Sequence, residues 1–284
     1  MPLAHAKVNL WLKVVGRRAP NGEKGGYHLL DSLVAFADLA DSLGASAADS
    51  LSLTLDGPGA RSLASESDNL VLKAARLLAD HAGIAPRAAL RLVKRIPVAA
   101  GLGGGSADAA ATLQALVELW RLALPAEELF DLAARLGADV PMCLAGRPAL
   151  VSGIGEKLQP APPLPACGLL LVNPGIALPT AAVFGARRGD FSQVQPLARP
   201  WSDLAGLVEA LAARGNDLAA AAIALCPAIA EVLAFLRASP AVRYAAMSGS
   251  GATCFALYDT AAAAERAAAG APSAWWRHAG TLES

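Results

Sequence analysis

Pro97-Val98-Ala99-Ala100-Gly101-Leu102-Gly103-Gly104-Gly105-Ser106-Ala107-Asp108 is the stretch on which the reading of this chain turns. Upstream, Leu90, Leu92 and Ile96 punctuate a β-type segment; downstream, Ala109, Leu113, Leu116, Val117 and Trp120 recur at helical spacing, so the glycine loop opens a helix. Its glycines let the backbone turn sharply and carry its N–H groups close to an anion. The unpaired amides and positive dipole end of the helix favour the same charge. Ser106 adds a hydroxyl for phosphate or metal. A Walker A loop would end in Gly-Lys-Ser/Thr, and the lysine is missing. The dinucleotide fingerprint would need a third small residue where Ser106 stands. A glycine turn with no ligand is the plain alternative.

At 284 residues the chain has room for two ordinary domains. Zero net charge and 17% charged residues give no footprint for a nucleic-acid backbone, which disfavours a basic binding module. Cys143, Cys167, Cys226 and Cys254 form no CxxC pair, so neither a zinc ribbon nor a redox dithiol is expected, and a reducing compartment fits. The N-terminus shows no charged-then-apolar leader. Alanine-rich stretches are broken well short of a membrane span, so the expectation is a soluble, cytoplasmic protein with no membrane partner.

Outward from the loop, Lys7 to Val14 alternates polar and apolar residues as a half-buried strand, with Lys7, Asn9 and Lys13 on one face. A solvated face is the ordinary fate of such residues. The polar segment from Arg17 to Gly26 delivers Tyr27-His28 into the apolar run Leu29 to Phe36; this pair suits either a planar ligand or ordinary packing. Leu51, Leu53 and Leu55 mark a strand, and Ser67 or Asp68 is expected to cap a helix carrying Asn69 in its first turn and ending at Gly83. A strand from Ala89 to Arg95 brings Lys94 and Arg95 to the loop. Pro125 opens a helix with Leu129, Leu132, Ala133 and Leu136 as its buried stripe. Beyond Gly137, Asp139 stands alone before an apolar run, either as a cap or turn aspartate or as a carboxylate placed for proton transfer.

Prolines crowd residues 159–167, which sets the expected boundary between domains 1–158 and 159–284. After it come a buried strand at Leu169 to Val172, a helix opening at Pro179, and a polar, proline-rich segment from Arg187 to Trp201 that reads as a mobile loop. Two helices flank Pro227, a glycine turn at Ser248-Gly249-Ser250-Gly251 precedes a strand, and a last strand lies near Trp275 to His278. The alternation predicts an α+β layer.

Three separated pieces, Ala6-Lys7-Val8-Asn9-Leu10, the Pro97 to Ala107 loop and Ser248-Gly249-Ser250-Gly251-Ala252, together resemble the GHMP kinase superfamily. Gly26-Tyr27-His28, Gly103-Gly104-Gly105 and Gly137-Ala138-Asp139-Val140-Pro141 are similar to its branch that phosphorylates the 2-hydroxyl of 4-diphosphocytidyl-2-C-methyl-D-erythritol for non-mevalonate isoprenoid synthesis. The resemblance implies an α+β, two-domain fold: an N-terminal ribosomal-protein-S5-like α/β domain with a left-handed βαβ unit, and a C-terminal ferredoxin-like α+β domain. It implies Asp139 as base with Lys7 as its cationic partner. ATP would be held by Gly101, Leu102, Gly103, Gly104, Gly105 and Ser106, with Lys94 and Asn69 toward the adenosine. The cytidine-diphosphate substrate would be met by Asn9, Tyr27, His28, Thr180, Phe184 and Gly249, with Tyr27 and Phe184 sandwiching the cytosine ring. Mg²⁺ is expected with ATP, but no carboxylate cluster declares itself, so the metal ligands are left unassigned. The chain would act as a monomer or homodimer. The segment from Arg17 to Gly26 is longer than the family's usual loop. The competing readings are a GHMP kinase for homoserine, mevalonate or a sugar, and a non-catalytic nucleotide- or RNA-binding protein.

Overall fold

The computed structural model describes residues 1–19, 26–60, 69–197 and 200–283. It separates into two compact units that do not follow one another along the chain: unit 1 holds Met1–Lys7, Leu39–Val98 and Gly103–Gly146, and unit 2 holds Val8–Asp38, Ala99–Leu102 and Arg147–Ser284. Strands β1 (Leu3–Arg17) and β2 (His28–Ser46) pair with each other and contribute residues to both.

In unit 1, β3 (Ser52–Asp56) runs parallel to β4 (Ala89–Val93), Ser52 facing Ala89 and Asp56 facing Val93. Parallel neighbours need a crossover, and α1 (Leu70–Ala82) supplies it, giving a βαβ unit. β4 in turn pairs antiparallel with positions 42–46 of β2. The cap of α1 is neither Ser67 nor Asp68, which lie outside the described residues. Asn69 takes that place because its side-chain oxygen reaches the Val71 N–H at 2.9 Å. Three more helices follow: α2 (Gly104–Leu119), α3 (Ala126–Leu136) and α4 (Val140–Ala145). Ala74, Ala75 and Leu78 of α1 share one apolar core with Ala107, Ala110 and Ala111 of α2, where small side chains let helix backbones approach closely. Of the stripe expected on α3, Leu132 and Ala133 are buried, while Leu129 and Leu136 pack half-covered at its margin.

In unit 2, β5 (Ala149–Gly153) pairs with positions 30–34 of β2 and with β6 (Lys157–Pro160). Then follow β7 (Gly168–Asn173), α5 (Thr180–Ala186), α6 (Leu204–Arg214), α7 (Ala219–Leu225), α8 (Ala228–Ala238), β8 (Tyr244–Met247), β9 (Cys254–Tyr258), α9 (Ala261–Ala269) and β10 (Trp276–Glu283). Sheet order β10-β7-β9-β8, antiparallel throughout, with α8 before β8 and α9 before β10, is the ferredoxin-like arrangement. Leu170 and Val172 of β7 face Ile229, Val232 and Leu236 of α8 in a shared core. Four elements go beyond the sequence reading: β6 ends inside the proline-rich passage, α6 and α9 are additional helices, and β10 runs on to Glu283. Between Arg187 and Trp201 the described residues form no helix or strand, but they are anchored: Ser192 donates from its backbone to Val14 O at 2.9 Å and from its hydroxyl to Asp217 at 2.7 Å.

All four cysteines are free thiols. Among the described residues no helix is long and apolar enough to cross a membrane.

Candidate active site

Gly103 is the hinge of the unit 1 part. It adopts φ +65°, which L side chains rarely tolerate, and stands as N-cap of α2. The first intrahelical bond runs from Ala107 N to Gly103 O at 2.9 Å, so the amides of Gly104, Gly105 and Ser106 precede the helical ladder and present donors to an anion. A side chain at Gly103 would collide with Lys7, its Cβ falling 2.5 Å from Cγ and 3.0 Å from Cε. The lysine stem therefore runs against the turn that opens the helix.

Lys7 ends 3.3 Å from Asp139 Oδ2, with the lysine side chain 9% and the aspartate 39% exposed. Asp139 occupies the N-cap position of α4, yet its side chain makes no capping bond. It is thus placed at a helix start without performing the structural task of a cap, and it faces a cation instead.

Lys94 is not available in the way the sequence suggested. Its side chain is 2% exposed, and its ammonium is bonded to Asp41 and, at 2.7 Å, to Asp108. Burial demands a counter-charge for an ammonium, and two carboxylates supply it. Asp108 is pushed up to about 7, because burial disfavours its charge and Asp41 repels it against the opposing pull of Lys94. Asn69 is also buried, with its carbonyl oxygen committed to the cap of α1.

The unit 2 part gathers on the glycine hairpin between β8 and β9. Ala100 O accepts from Thr253 N at 3.2 Å and Thr253 Oγ1 at 2.6 Å, and Gly101, at φ +77°, leaves so little room that a Cβ would stand 2.3 Å from Gly251 O. Leu102 is buried. Asn9 donates its N–H to Ser248 Oγ at 3.1 Å and its side-chain amide to Ser32 Oγ at 2.9 Å. Asn216 donates to both Met247 O and Gly249 O at 2.8 Å, and Thr180 bonds Ser250 at 2.9 Å. Asn9, Thr180 and Gly249 therefore share one scaffold.

His28 stacks on Phe184, with ring centroids 5.0 Å apart and an interplanar angle of 27°, and Phe191 meets it edge-on at 6.5 Å. Tyr27 is 55% exposed, so the ring against Phe184 is that of His28 and not of Tyr27. Partial burial, together with Arg17 and Arg187, lowers the pKa of His28 and keeps its imidazole neutral at pH 7, able both to donate and to accept at the edge of a base. Phe191, with Arg187 over its face at 5.2 Å, escaped the sequence reading. Its signal was there: an isolated aromatic in a chain with only 5% aromatic residues. Asp41, Asp108, Ser32 and Asn216 also escaped, since no local pattern sets them apart from surface polar residues.

Among the described residues no group of three His, Cys, Asp or Glu could hold a metal.

The chain is similar to known proteins over nearly its whole length. The model described as GHMP kinases N terminal domain matches residues 69–147, and that described as GHMP kinases C terminal matches residues 196–277. The 4-diphosphocytidyl-2-C-methyl-D-erythritol kinase of Paramagnetospirillum magneticum is 54% identical over 276 residues, covering 96% of this chain and 95% of the relative. The protein of that name from Rhodospirillum rubrum is 52% identical, covering 98% and 91%. A crystal structure of 4-(cytidine 5'-diphospho)-2C-methyl-D-erythritol kinase superposes with TM-score 0.81 at 38% identity, covering 100% of this chain and 99% of that one. Homoserine kinase from Cytophaga hutchinsonii, at TM-score 0.70 and 17% identity over 97% and 95%, shares the fold. On full-length identity and on both domain models, the chain belongs to the GHMP kinase family and is a small-molecule kinase that uses ATP.

Proposed function

We propose that this kinase transfers the γ-phosphoryl group of ATP to the 2-hydroxyl of 4-diphosphocytidyl-2-C-methyl-D-erythritol. The observation that carries the reading is the Lys7–Asp139 pair: a carboxylate at a helix start, free of capping duty, 3.3 Å from a mostly buried ammonium. Asp139 takes the proton of the 2-hydroxyl as its oxygen bonds to the γ-phosphorus. The bond from that phosphorus to the β,γ-bridging oxygen breaks, and ADP leaves. Lys7 favours the ionised carboxylate and fixes its direction.

The first-turn amides of α2 and the side-chain-free run Gly103 to Gly105 fit the phosphates of ATP, with Gly101, Leu102 and Ser106 completing the loop. Asn69 serves the adenosine through its amide nitrogen, its oxygen being engaged. Mg²⁺ belongs to this reading as the expected companion of ATP, where it would lend positive charge to the phosphates; no residue of the chain is assigned to hold it. Asn9, Thr180 and Gly249 orient the diphosphocytidyl alcohol, while His28, Phe184 and Tyr27 receive its base. The boundary at 158/159 divides the chain between the two family matches, which fall on either side of it; it does not divide the compact units, which interleave along the chain. A cytoplasmic monomer or homodimer belongs to the same reading.

Substrate-dependent ADP release tests it. The diphosphocytidyl alcohol should support turnover, its uridine analogue should support far less, and homoserine, mevalonate and galactose none. Turnover with one of those three in preference to the cytidine compound would overturn the assignment.

A further inference from the structure

Outside the proposed chemistry, unit 1 holds a buried charged cluster of Asp41, Lys94 and Asp108, each at most 3% exposed. Buried ion pairs are costly to assemble, and replacing them with apolar residues is often neutral or stabilising, so stability alone is a poor reason for this one. Its contacts indicate another. Lys94 leaves the end of β4, Asp41 lies in β2 and Asp108 in the second turn of α2, so the three residues tie those segments together. Asp41 Oδ1 also accepts the N–H groups of Arg95 and, at 2.9 Å, Ile96, which fixes the chain just before the glycine loop. The first turn of α2 presses directly on the cluster: a Cβ on Gly104 would fall 2.8 Å from Lys94 Nζ and 3.1 Å from Ile96 Cγ2. The ammonium thus sits beneath the first turn of the helix, and its position is set by two carboxylates.

We propose that Asp41, Lys94 and Asp108 are positioning residues for ATP: they seat the first turn of α2, and with it the anion-binding amides, without themselves reaching the phosphates. A lysine reaching the nucleotide directly would need to be exposed toward it, and this one is enclosed. Asp108 Oδ1, buried and without a hydrogen-bond partner among the described residues, fits a group held for its charge relation to Lys94 more than for its bonding capacity. The inference rests on the glycine loop being the ATP site.

Calorimetric binding to the full-length protein separates the possibilities, titrating ATP and the diphosphocytidyl alcohol independently, with thermal midpoints measured alongside. Lys94→Met together with Asp108→Asn removes the ammonium and the ionisable carboxyl group bonded to it, and leaves Asp41 with its two backbone donors. ATP affinity should fall at least tenfold while affinity for the cytidine compound stays within twofold. Asp108→Asn, nearly isosteric, should lower ATP affinity about threefold or more and speed hydrogen exchange of the amides of residues 104–107. Should the double variant not fold, Asp108→Asn decides. Wild-type ATP affinity in either folded variant, or equal losses for both ligands, would overturn the proposal. Wild-type protein that binds ATP but does not phosphorylate the cytidine compound would overturn the substrate assignment and leave the positioning role standing; wild-type protein that does not bind ATP would overturn this inference at its premise.

Discussion

Replacing Gly103 with alanine adds one methyl group where two parts of the proposed chemistry touch. The position has φ +65°, and an L residue held in that left-handed region costs about 1–2 kcal/mol. The new Cβ would also lie 2.5 Å from Lys7 Cγ, closer than real Cβ contacts come, so the lysine stem must move and its ammonium leaves its place 3.3 Å from Asp139. Misplacing a catalytic group by about 1 Å costs about 10²-fold in rate. The strain by itself should lower Tm by roughly 2–8 °C, at about 2–4 °C per kcal/mol for a chain near this size. Single-turnover phosphoryl transfer, ATP titration and thermal melting on one preparation read the three effects apart. A double-mutant cycle with Lys7→Ala sharpens the test: with the stem already gone, Gly103→Ala should cost only backbone strain, and the two losses in rate should not add. Gly103→Ala turning over within threefold of wild type, or fully additive losses, would refute the argument that the loop and the lysine share this space.

Asp139→Asn should lower the rate of transfer by about 10²–10⁴ with binding of both ligands retained. Because Asp139 makes no capping bond, its Tm should hold; rapid transfer by the mutant would end the general-base assignment. Phe184→Ala and Phe191→Ala should each weaken binding of the cytidine compound by about 1–3 kcal/mol, the scale of base–aromatic stacking, without changing ATP affinity. Equal losses for both ligands would make these rings core residues. The folded pKa of His28 lies below the usual 6.5, so the neutral ring that meets a base edge persists as pH falls to that value and is lost only as pH drops further, through the folded pKa. Affinity for the cytidine compound should follow this course and become flat over the same range in His28→Gln; a loss that sets in above pH 7 would contradict it.

The elements that were legible in the sequence carry two signals at once. The α2 helix pairs a glycine loop with apolar residues at helical spacing, and β1 pairs an alternation broken only at Trp11 over Lys7 to Val14 with β-favouring residues. β2 shows the opposite case. Its apolar run suggests an end near Phe36, but the strand continues to Ser46 through Ala37-Asp38-Leu39-Ala40-Asp41-Ser42, residues of low strand propensity. Pairing of positions 42–46 with β4 overrides that preference. Burial of Asp41 inside a strand becomes tolerable through Lys94 and the N–H groups of Arg95 and Ile96, which are 53 to 55 positions away and invisible to any local pattern. For the same reason Lys94 reads as turned toward the adenosine: sequence places it beside the loop but cannot say which way it points.

That difference has a consequence for how the proposed chemistry is built. The groups recognisable from sequence, Lys7, Asp139 and the glycines, are those whose residue type is dictated by the reaction, so a motif can carry them. Those hidden from sequence, Asp41, Asp108 and Asn216, hold a backbone or a charge in place, a task that many side chains could perform in another packing. Gly103 belongs to both groups. Its positive φ turns the chain into α2, and its missing Cβ leaves the passage through which the stem of Lys7 reaches Asp139. The proposed phosphate loop and the Lys7–Asp139 pair are therefore coupled sterically at one residue, and in the proposed chemistry substitutions that adjust ATP binding by reshaping this turn also disturb proton transfer.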